Sequence, residues 1–110
     1  MHEMSFAMAL LENALKICEE KKAKRISKIR IEIGELLLIN PEQLRFCFEA
    51  VSKNTIAENA ELEIEFTKAR VKCSICGKEY DEIKNICECG GFIEVNGGKE
   101  MIIKKVEMEV

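Results

Sequence analysis

The 110-residue sequence has no tryptophan, one tyrosine, one proline and one histidine, and it has no long apolar run. Its longest apolar stretches, "AMALL" and "ELLLI", are too short to cross a bilayer. The basic region and cleavage site of a secretory signal are also missing. These absences argue against a membrane protein and predict a cytoplasmic one.

Basic residues are not in excess, since 17 Lys and Arg stand against 20 Asp and Glu and give a net charge of −3. Nucleic-acid binding depends on a basic surface, so this balance argues against a nucleic-acid partner. The size is that of one small domain with a modest core, and a stabilising cross-link would help such a domain to fold. Six cysteines in a reducing compartment indicate metal ligation or buried thiols rather than disulfides.

Two segments repeat apolar residues with helical spacing. The first predicted helix covers about Ser5 to Lys22. Its apolar stripe consists of Met4, Ala7, Met8, Leu11, Ala14, Leu15 and Cys18. The second begins at Asn40, a typical N-cap, followed by Pro41 and by Gln43 three residues after the cap. Its inward residues are Leu44, Cys47, Phe48 and Val51. Both cysteines in these stripes are therefore predicted core residues.

Alternation of apolar and charged residues predicts three strands. The first ends at Gly34 and has an inward face of Ile29, Ile31 and Ile33. The second covers residues 60–68, with an inward face of Leu62, Ile64 and Phe66 and a solvated face of Glu61, Glu63 and Glu65. The third lies within residues 98–110 and alternates less cleanly.

These elements predict an α+β fold in which two helices pack on a small three-stranded sheet. A cysteine-bearing insert separates the second and third strands. The predicted main domain is therefore residues 1–69, completed by the strand of 98–110. Residues 70–97 form a predicted inserted subdomain that is like a zinc ribbon.

The insert carries its cysteines in two pairs. Cys73 and Cys76 form C-x-x-C followed by a glycine, whereas Cys87 and Cys89 form C-x-C followed by two glycines. Four thiolates bind zinc tetrahedrally, and the glycines let backbone N–H groups approach the sulfurs. The pattern favours structural zinc over two disulfides, a redox C-x-x-C pair or an iron centre.

The second pair is one residue shorter than the usual C-x-x-C. Either Cys87 and Cys89 both ligate from a tighter turn, or water or a group from another chain replaces one of them. A catalytic zinc normally has an open position and imidazole or carboxylate ligands, and the single histidine is at the other end of the chain. We therefore expect no enzymatic activity from this zinc.

The single histidine is the second residue. A free α-amino group, the His2 amide nitrogen and the His2 Nδ1 can bind one metal as fused chelate rings, with the amide or carboxylate of Glu3 as a fourth donor. Such a nitrogen-rich planar set suits Ni(II) or Cu(II) better than Zn(II). The alternative interpretation is a frayed, solvated side chain without a role.

Several motifs occur together along the chain. They are, in order, "MHEMS", "IGEL", "NPEQLRFCFE", "AELEIEF", the cysteine insert and "GGKEMIIKKVEME". In this order the whole chain resembles the HypA family of nickel metallochaperones. The resemblance implies a protein that is not an enzyme and that delivers nickel to the large subunit of a [NiFe] hydrogenase, together with the GTPase HypB. The recipient enzyme and the oligomeric state, including a homo-oligomer, stay open.

The resemblance also implies two metal sites. The nickel ligands that match the family motif are Met1, His2 and Glu3. The zinc ligands that match are Cys73, Cys76, Cys87 and Cys89, with the short C-x-C as a departure from the family's usual pair of C-x-x-C knuckles. Asn40 corresponds to a position where some relatives support the nickel site with an acidic residue, but its role as a helix cap is the stronger one.

Two other functions fit part of the sequence. A zinc-ribbon module that binds a protein or a nucleic acid would explain the cysteines but leave "MHE" without a role. A thiol oxidoreductase would use Cys73 and Cys76, and its C-x-x-C would lie at the start of a helix beside a strand.

Overall fold

The computed structural model describes residues 2–80 and 86–110. These residues form an elongated body of 55 × 27 × 16 Å. Its helices are α1 (Glu3–Glu20), a short 3-10 helix (Glu35–Leu37) and α2 (Pro41–Ser52). Its strands are β1 (Arg25–Gly34), β2 (Glu61–Thr67), β3 (Arg70–Cys73), β4 (Glu79–Tyr80), β5 (Ile93–Gly97) and β6 (Met101–Glu109). No helix in these two ranges is long and apolar enough to span a membrane.

The main sheet has the strand order β2-β1-β6. Strand β2 runs parallel to β1, because α2 carries the chain back to the same end of the sheet, and β6 is antiparallel to β1. Both helices pack against the buried face of this sheet and share one core with it. The predicted α+β architecture with two helices on a three-stranded sheet is confirmed.

The central strand β1 supplies four fully buried isoleucines, Ile26, Ile29, Ile31 and Ile33. Strict alternation would put Ile26 and Ile29 on opposite faces. The pairing register between β1 and β6 shifts between Ile26 and Lys28, which marks a bulge at Ser27. The bulge turns Ile26 back to the core side, so one strand fills the centre of the core.

The opposite face of the sheet carries a ladder of charges. Lys28 Nζ lies 2.7 Å from Glu63 Oε1, and Arg30 pairs with Glu65. The hydrogen bond with Glu63 raises the pKa of Lys28, and the same bond lowers the pKa of Glu63. The acidic face predicted for β2 is exposed at Glu61 and Glu65 and half-buried at Glu63, and the cations of β1 pair with it.

The start of α2 confirms its predicted cap. The Gln43 N–H donates to Asn40 Oδ1 over 3.1 Å, and Pro41 is the first helical residue. Leu44, Cys47 and Phe48 are buried, and the two core cysteines, Cys18 included, lie where their stripes predicted.

Two predicted core positions were wrong in α1. Met4 and Met8 are 45% and 58% exposed, whereas Leu10 is fully buried. The helix turns its face of Ala7, Leu10 and Ala14 to the core, and at about 100° per residue the two methionines lie about 90–130° to one side of the centre of that face. Small alanines on that face permit close packing. The helix also begins at Glu3, two residues before the predicted start.

Phe66 was also predicted to face inward, but it is 47% exposed. It lies near the end of β2, which is an edge strand of the main sheet. Edge strands have a neighbour on one side only, so a side chain near their end receives less cover.

The insert forms a second sheet that the sequence did not predict. Its strand order is β4-β3-β5, with β3 antiparallel to both neighbours. In the described part of this sheet Val71 is the one large apolar side chain that is fully buried. The division at residues 69/70 and 97/98 stays a prediction.

The two sheets meet at a tight junction. The Leu36 N–H donates to the Gly98 carbonyl over 2.9 Å, and the Ala69 N–H donates to the Glu35 carboxylate over 2.6 Å. A Cβ on Gly34 would lie 2.1 Å from backbone atoms of Gly98. The segment that leads into the insert and the segment that leads out of it are therefore both held against the end of β1.

We predict that Gly34→Ala lowers the free energy of unfolding by about 3 kcal/mol or more, because the added methyl overlaps backbone that cannot move aside. Gly34 has φ −66° and ψ 133°, which alanine adopts freely, so the cost is one of space alone. Urea unfolding of the native and variant proteins measures it.

Gly97→Ala is the matched control, since the atoms nearest to its Cβ would be those of the Arg70 side chain, from 3.2 Å. If both alanine variants unfold at the same urea concentration as the native protein, the close approach at the junction is wrong.

Candidate metal centres

Four cysteine sulfurs come together at one end of the second sheet. The Cys73 and Cys89 sulfurs are 3.5 Å apart, as are those of Cys76 and Cys87, and all four lie within 4.8 Å of one another. Tetrahedral zinc with Zn–S bonds of about 2.3 Å separates its sulfurs by about 3.8 Å. A disulfide needs about 2.05 Å, and all six cysteines are free thiols.

The first pair follows from the end of β3. Cys73 is its last residue, and a turn through Cys76 reaches Gly77 with φ +77°. The Ile75 and Cys76 N–H groups both point to Cys73 Sγ at 3.4 Å. These two donors, that of Cys76 first, lower the pKa of the Cys73 thiol.

The second pair lies in a tighter turn. The Gly90 N–H donates to the Cys87 carbonyl over 2.9 Å, and the Cys87 N–H donates to the Gly91 carbonyl over 3.0 Å. A Cβ on Gly91 would lie 2.7 Å from Cys73 Sγ, so only glycine fits there. With this turn the short C-x-C brings both Cys87 and Cys89 into the cluster.

Tyr80 also contacts the cluster, which the sequence reasoning missed. Its hydroxyl oxygen lies 3.2 Å from Cys87 Sγ. The Cys89 N–H, followed by the Tyr80 hydroxyl, lowers the pKa of Cys87 to about 6, and the bond to Cys87 contributes most to raising the pKa of Tyr80 to about 12. Its one available signal was that the sole tyrosine falls inside the cysteine insert.

The two thiols of the second pair differ in acidity. The Gly91 N–H lowers the pKa of Cys89, but the three neighbouring cysteines together outweigh it and raise that pKa to about 12. Four closely spaced sulfurs cannot all ionise without a cation among them. Such a cluster could hold a metal ion that prefers sulfur ligands.

The donor set fits structural zinc. Four thiolates and no imidazole or carboxylate make up the cluster found among the described residues, and such a set leaves no open position. Cys73 ends a strand and Cys76 lies in a turn, so the C-x-x-C does not open a helix as a thiol oxidoreductase would require.

The other candidate site is at the start of the chain. His2 is the N-cap of α1 and is exposed, and its imidazole makes no hydrogen bond to the residues that the structure describes. Its carbonyl accepts the Phe6 N–H over 3.1 Å, which orients the peptide between His2 and Glu3. Met1 lies outside the described residues.

Glu3, the other predicted nickel ligand, is only 6% exposed. Its carboxylate accepts the Asn40 N–H over 3.4 Å, which ties the start of α1 to the start of α2. The terminal ammonium group, and to a smaller degree the Asn40 N–H, holds the pKa of Glu3 below its usual value. Asn40 thus contacts the nickel end through its backbone while its side chain caps α2.

Comparison with known proteins identifies the family. Residues 1–108 match the family model described as "Hydrogenase/urease nickel incorporation, metallochaperone, hypA". The chain belongs to the HypA family. It is 54% identical over 110 residues to "Hydrogenase maturation factor HypA" of Archaeoglobus fulgidus, with 100% of both chains covered. The factor of the same description from Methanocaldococcus jannaschii is 41% identical over 121 residues, which cover 99% of this chain and 98% of the relative.

Solved structures of HypA proteins share the fold. The solution structure of the Ni metallochaperone HypA from Helicobacter pylori has a TM-score of 0.76 at 22% identity and covers 99% of this chain and 98% of its own. A second solution structure of a HypA protein has a TM-score of 0.78, also at 22% identity, and covers 98% and 96%. The resemblance inferred from the motifs is confirmed.

The low pKa of the Cys87 thiol leads to a testable prediction for the metal-free form of this HypA-family protein. Because its pKa is about 6, well below that of an ordinary thiol, Cys87 ionises first as the pH rises. The folded state therefore gains stability from this thiolate above the usual thiol pKa and loses it as the pH falls through about 6. Ultraviolet thiolate absorbance should show a first midpoint near pH 6.

Cys87→Ser should abolish that midpoint. Cys18→Ala is the control, because burial raises the pKa of the Cys18 thiol and its loss leaves the acidic transition intact. A first midpoint well above neutrality in the native protein would contradict the assigned acidity.

Proposed function

We propose that this chain is a cytoplasmic nickel metallochaperone that binds Ni(II) through Met1, His2 and Glu3. It delivers the ion to the large subunit of a [NiFe] hydrogenase. The observation that carries this proposal is the match of residues 1–108 to a nickel-incorporation family, which reaches the "MHE" motif itself. The match over 100% of both chains to the Archaeoglobus fulgidus factor supports it.

The local geometry at His2 suits such a site. The first N–H groups of a helix have no acceptor inside it, so a metal can replace the amide proton at His2 or Glu3 without breaking an intrahelical bond. The Phe6 N–H bond to the His2 carbonyl already orients the peptide that carries the Glu3 nitrogen. The exposed imidazole can turn to the same ion.

The surroundings of Glu3 favour its amide nitrogen over its carboxylate as the fourth nickel donor. Its carboxylate is buried, and one of its oxygens accepts the Asn40 N–H, so this group already links the starts of the two helices. Its amide nitrogen lies at the open start of α1. We therefore assign the fourth donor to the Glu3 amide and a structural role to the Glu3 carboxylate.

Amide ligation also explains release. Each amide must lose a proton to bind, so nickel affinity rises with pH and falls on acidification. A carrier needs such a reversible site. We expect the GTPase HypB to take part in delivery. A urease is a second recipient in organisms that have one, since the family description names hydrogenase and urease.

We further propose that the insert of residues 70–97 binds one zinc ion. Cys73, Cys76, Cys87 and Cys89 would hold it, and their sulfur separations support this set. When bound, zinc supplies a fixed tetrahedral centre and no reaction. The rest of the chain, residues 1–69 with 98–110, would carry the nickel end.

His2→Ala should weaken nickel binding by at least about 100-fold, more than the loss of an outer-sphere partner costs a metal site. One extra residue before Met1 should do the same, because it removes the free α-amino donor. Calorimetric titration of untagged protein with Ni(II) measures both effects.

Glu12→Gln is the control for these variants, since Glu12 is an exposed residue of α1 that pairs with Lys16. Tight nickel binding that survives in both the His2 variant and the extended protein would place the nickel site elsewhere.

Cys89→Ser should lower the zinc content from about one ion per chain to well below that, because the closed site loses one of four thiolates. Mass spectrometry under native conditions measures it. Cys47→Ala removes a buried thiol of α2 outside the cluster and should keep its zinc. Equal zinc content in the two variants would remove Cys89 from the ligand set.

A further inference from the structure

The two cysteine pairs differ in how their first sulfur is hydrogen-bonded. In the first pair the residues two and three positions after Cys73, Ile75 and Cys76, both direct their N–H groups to its sulfur at 3.4 Å. In the second pair the residue two positions after Cys87 is the other cysteine, Cys89. Its N–H forms a hydrogen bond with the Cys87 sulfur that lowers the pKa of that thiol.

The backbone N–H three positions after Cys87 does not point to the sulfur. That residue is Gly90, and its N–H donates to the Cys87 carbonyl oxygen over 2.9 Å. The tight turn that lets a C-x-C pair reach the cluster therefore uses up the second backbone donor. The Tyr80 hydroxyl lies 3.2 Å from the Cys87 sulfur, where a second donor is needed.

We propose that the Tyr80 hydroxyl is a positioning donor to the Cys87 sulfur and replaces the backbone donor that the shortened C-x-C pair lacks. The inference rests on the zinc site proposed above. A thiolate that ligates a metal carries no proton, so in the loaded site the Tyr80 O–H donates and the sulfur accepts.

The fold holds Tyr80 in place for this role. In the described part of the chain strand β4 is Glu79–Tyr80, and Tyr80 pairs with Val71 of β3, two residues before Cys73. The Lys78 ammonium lies 5.2 Å from the centre of the ring, on which a cation is favourable. β4 thus follows the first pair directly and brings its tyrosine to the second pair.

Such a bond has two consequences for the metal site. Four thiolates around one Zn²⁺ leave a net charge of −2, and each hydrogen bond to sulfur offsets part of it. It also withdraws electron density from Cys87, which makes that sulfur a poorer nucleophile.

Tyr80→Phe tests the proposal, since it removes one oxygen atom and keeps the ring. We expect the zinc affinity, measured by competition with a chromophoric chelator, to fall about tenfold, as is typical for an outer-sphere partner. In the Co(II)-substituted protein, the thiolate-to-cobalt charge-transfer bands should move to lower energy, because the sulfur becomes more electron-rich.

Ser74→Ala is the matched control. Ser74 also has a hydroxyl beside the first cysteine pair, but it donates to the Phe92 carbonyl over 3.0 Å. Its removal should leave both the zinc affinity and the cobalt bands unchanged.

A second substitution does not depend on how well Tyr80→Phe folds. Because Tyr80 is the only tyrosine, biosynthetic replacement of tyrosine by 3-fluorotyrosine changes this residue alone. The more acidic phenol is a stronger donor, so the cobalt bands should move to higher energy, opposite to the Phe variant.

Cobalt bands that stay in place in both substituted proteins would overturn the role of Tyr80 while leaving the four-cysteine site intact. Native protein that binds neither zinc nor cobalt would instead overturn the proposed zinc site. The two failures are therefore distinguishable.

Discussion

The gathering of four sulfurs within 4.8 Å is the constraint on which the insert depends. In the described part of residues 70–97, Val71 is the one large apolar side chain that is fully buried, and the remaining buried side chains include those of Cys73 and Cys87. A segment with so small a core gains little from hydrophobic burial. A cation that satisfies four thiolates would supply the missing folding energy, and the glycine turns and N–H donors reduce the repulsion between the sulfurs.

Hydrogen bonds and close contacts of backbone groups attach the insert to the main sheet. Where the chain leaves the insert, Gly34 lets Gly98 approach to a distance that a methyl group would forbid. Where the chain enters the insert, the Glu35 carboxylate accepts the Ala69 N–H. The same stretch of chain continues through the 3-10 helix to Asn40, whose N–H reaches Glu3. A run of seven residues, 34–40, therefore contacts the root of the insert at one end and the start of α1 at the other.

Signals that depend on neighbouring residues were reliable guides. The cap formed by Asn40, Pro41 and Gln43, the isoleucine alternation in β1 and the paired cysteines each involve residues a few positions apart, and each has its predicted structure. The errors arose where the outcome depends on distant elements. The rotation of α1 about its axis decides whether Met4 or Leu10 is buried, and it is decided by how the helix packs on the sheet. The contact of Tyr80 with Cys87 and the second sheet depend on pairings across the insert, which no local period reports.

The scarcity of aromatic residues has an optical consequence. Without tryptophan, ultraviolet-excited emission from this protein comes essentially from one phenol, and that phenol is 3.2 Å from a sulfur of the four-cysteine cluster. Ionised sulfur quenches such emission by electron transfer. The fluorescence of this tyrosine would therefore report metal binding by the insert. It would not report binding at the opposite end of the chain.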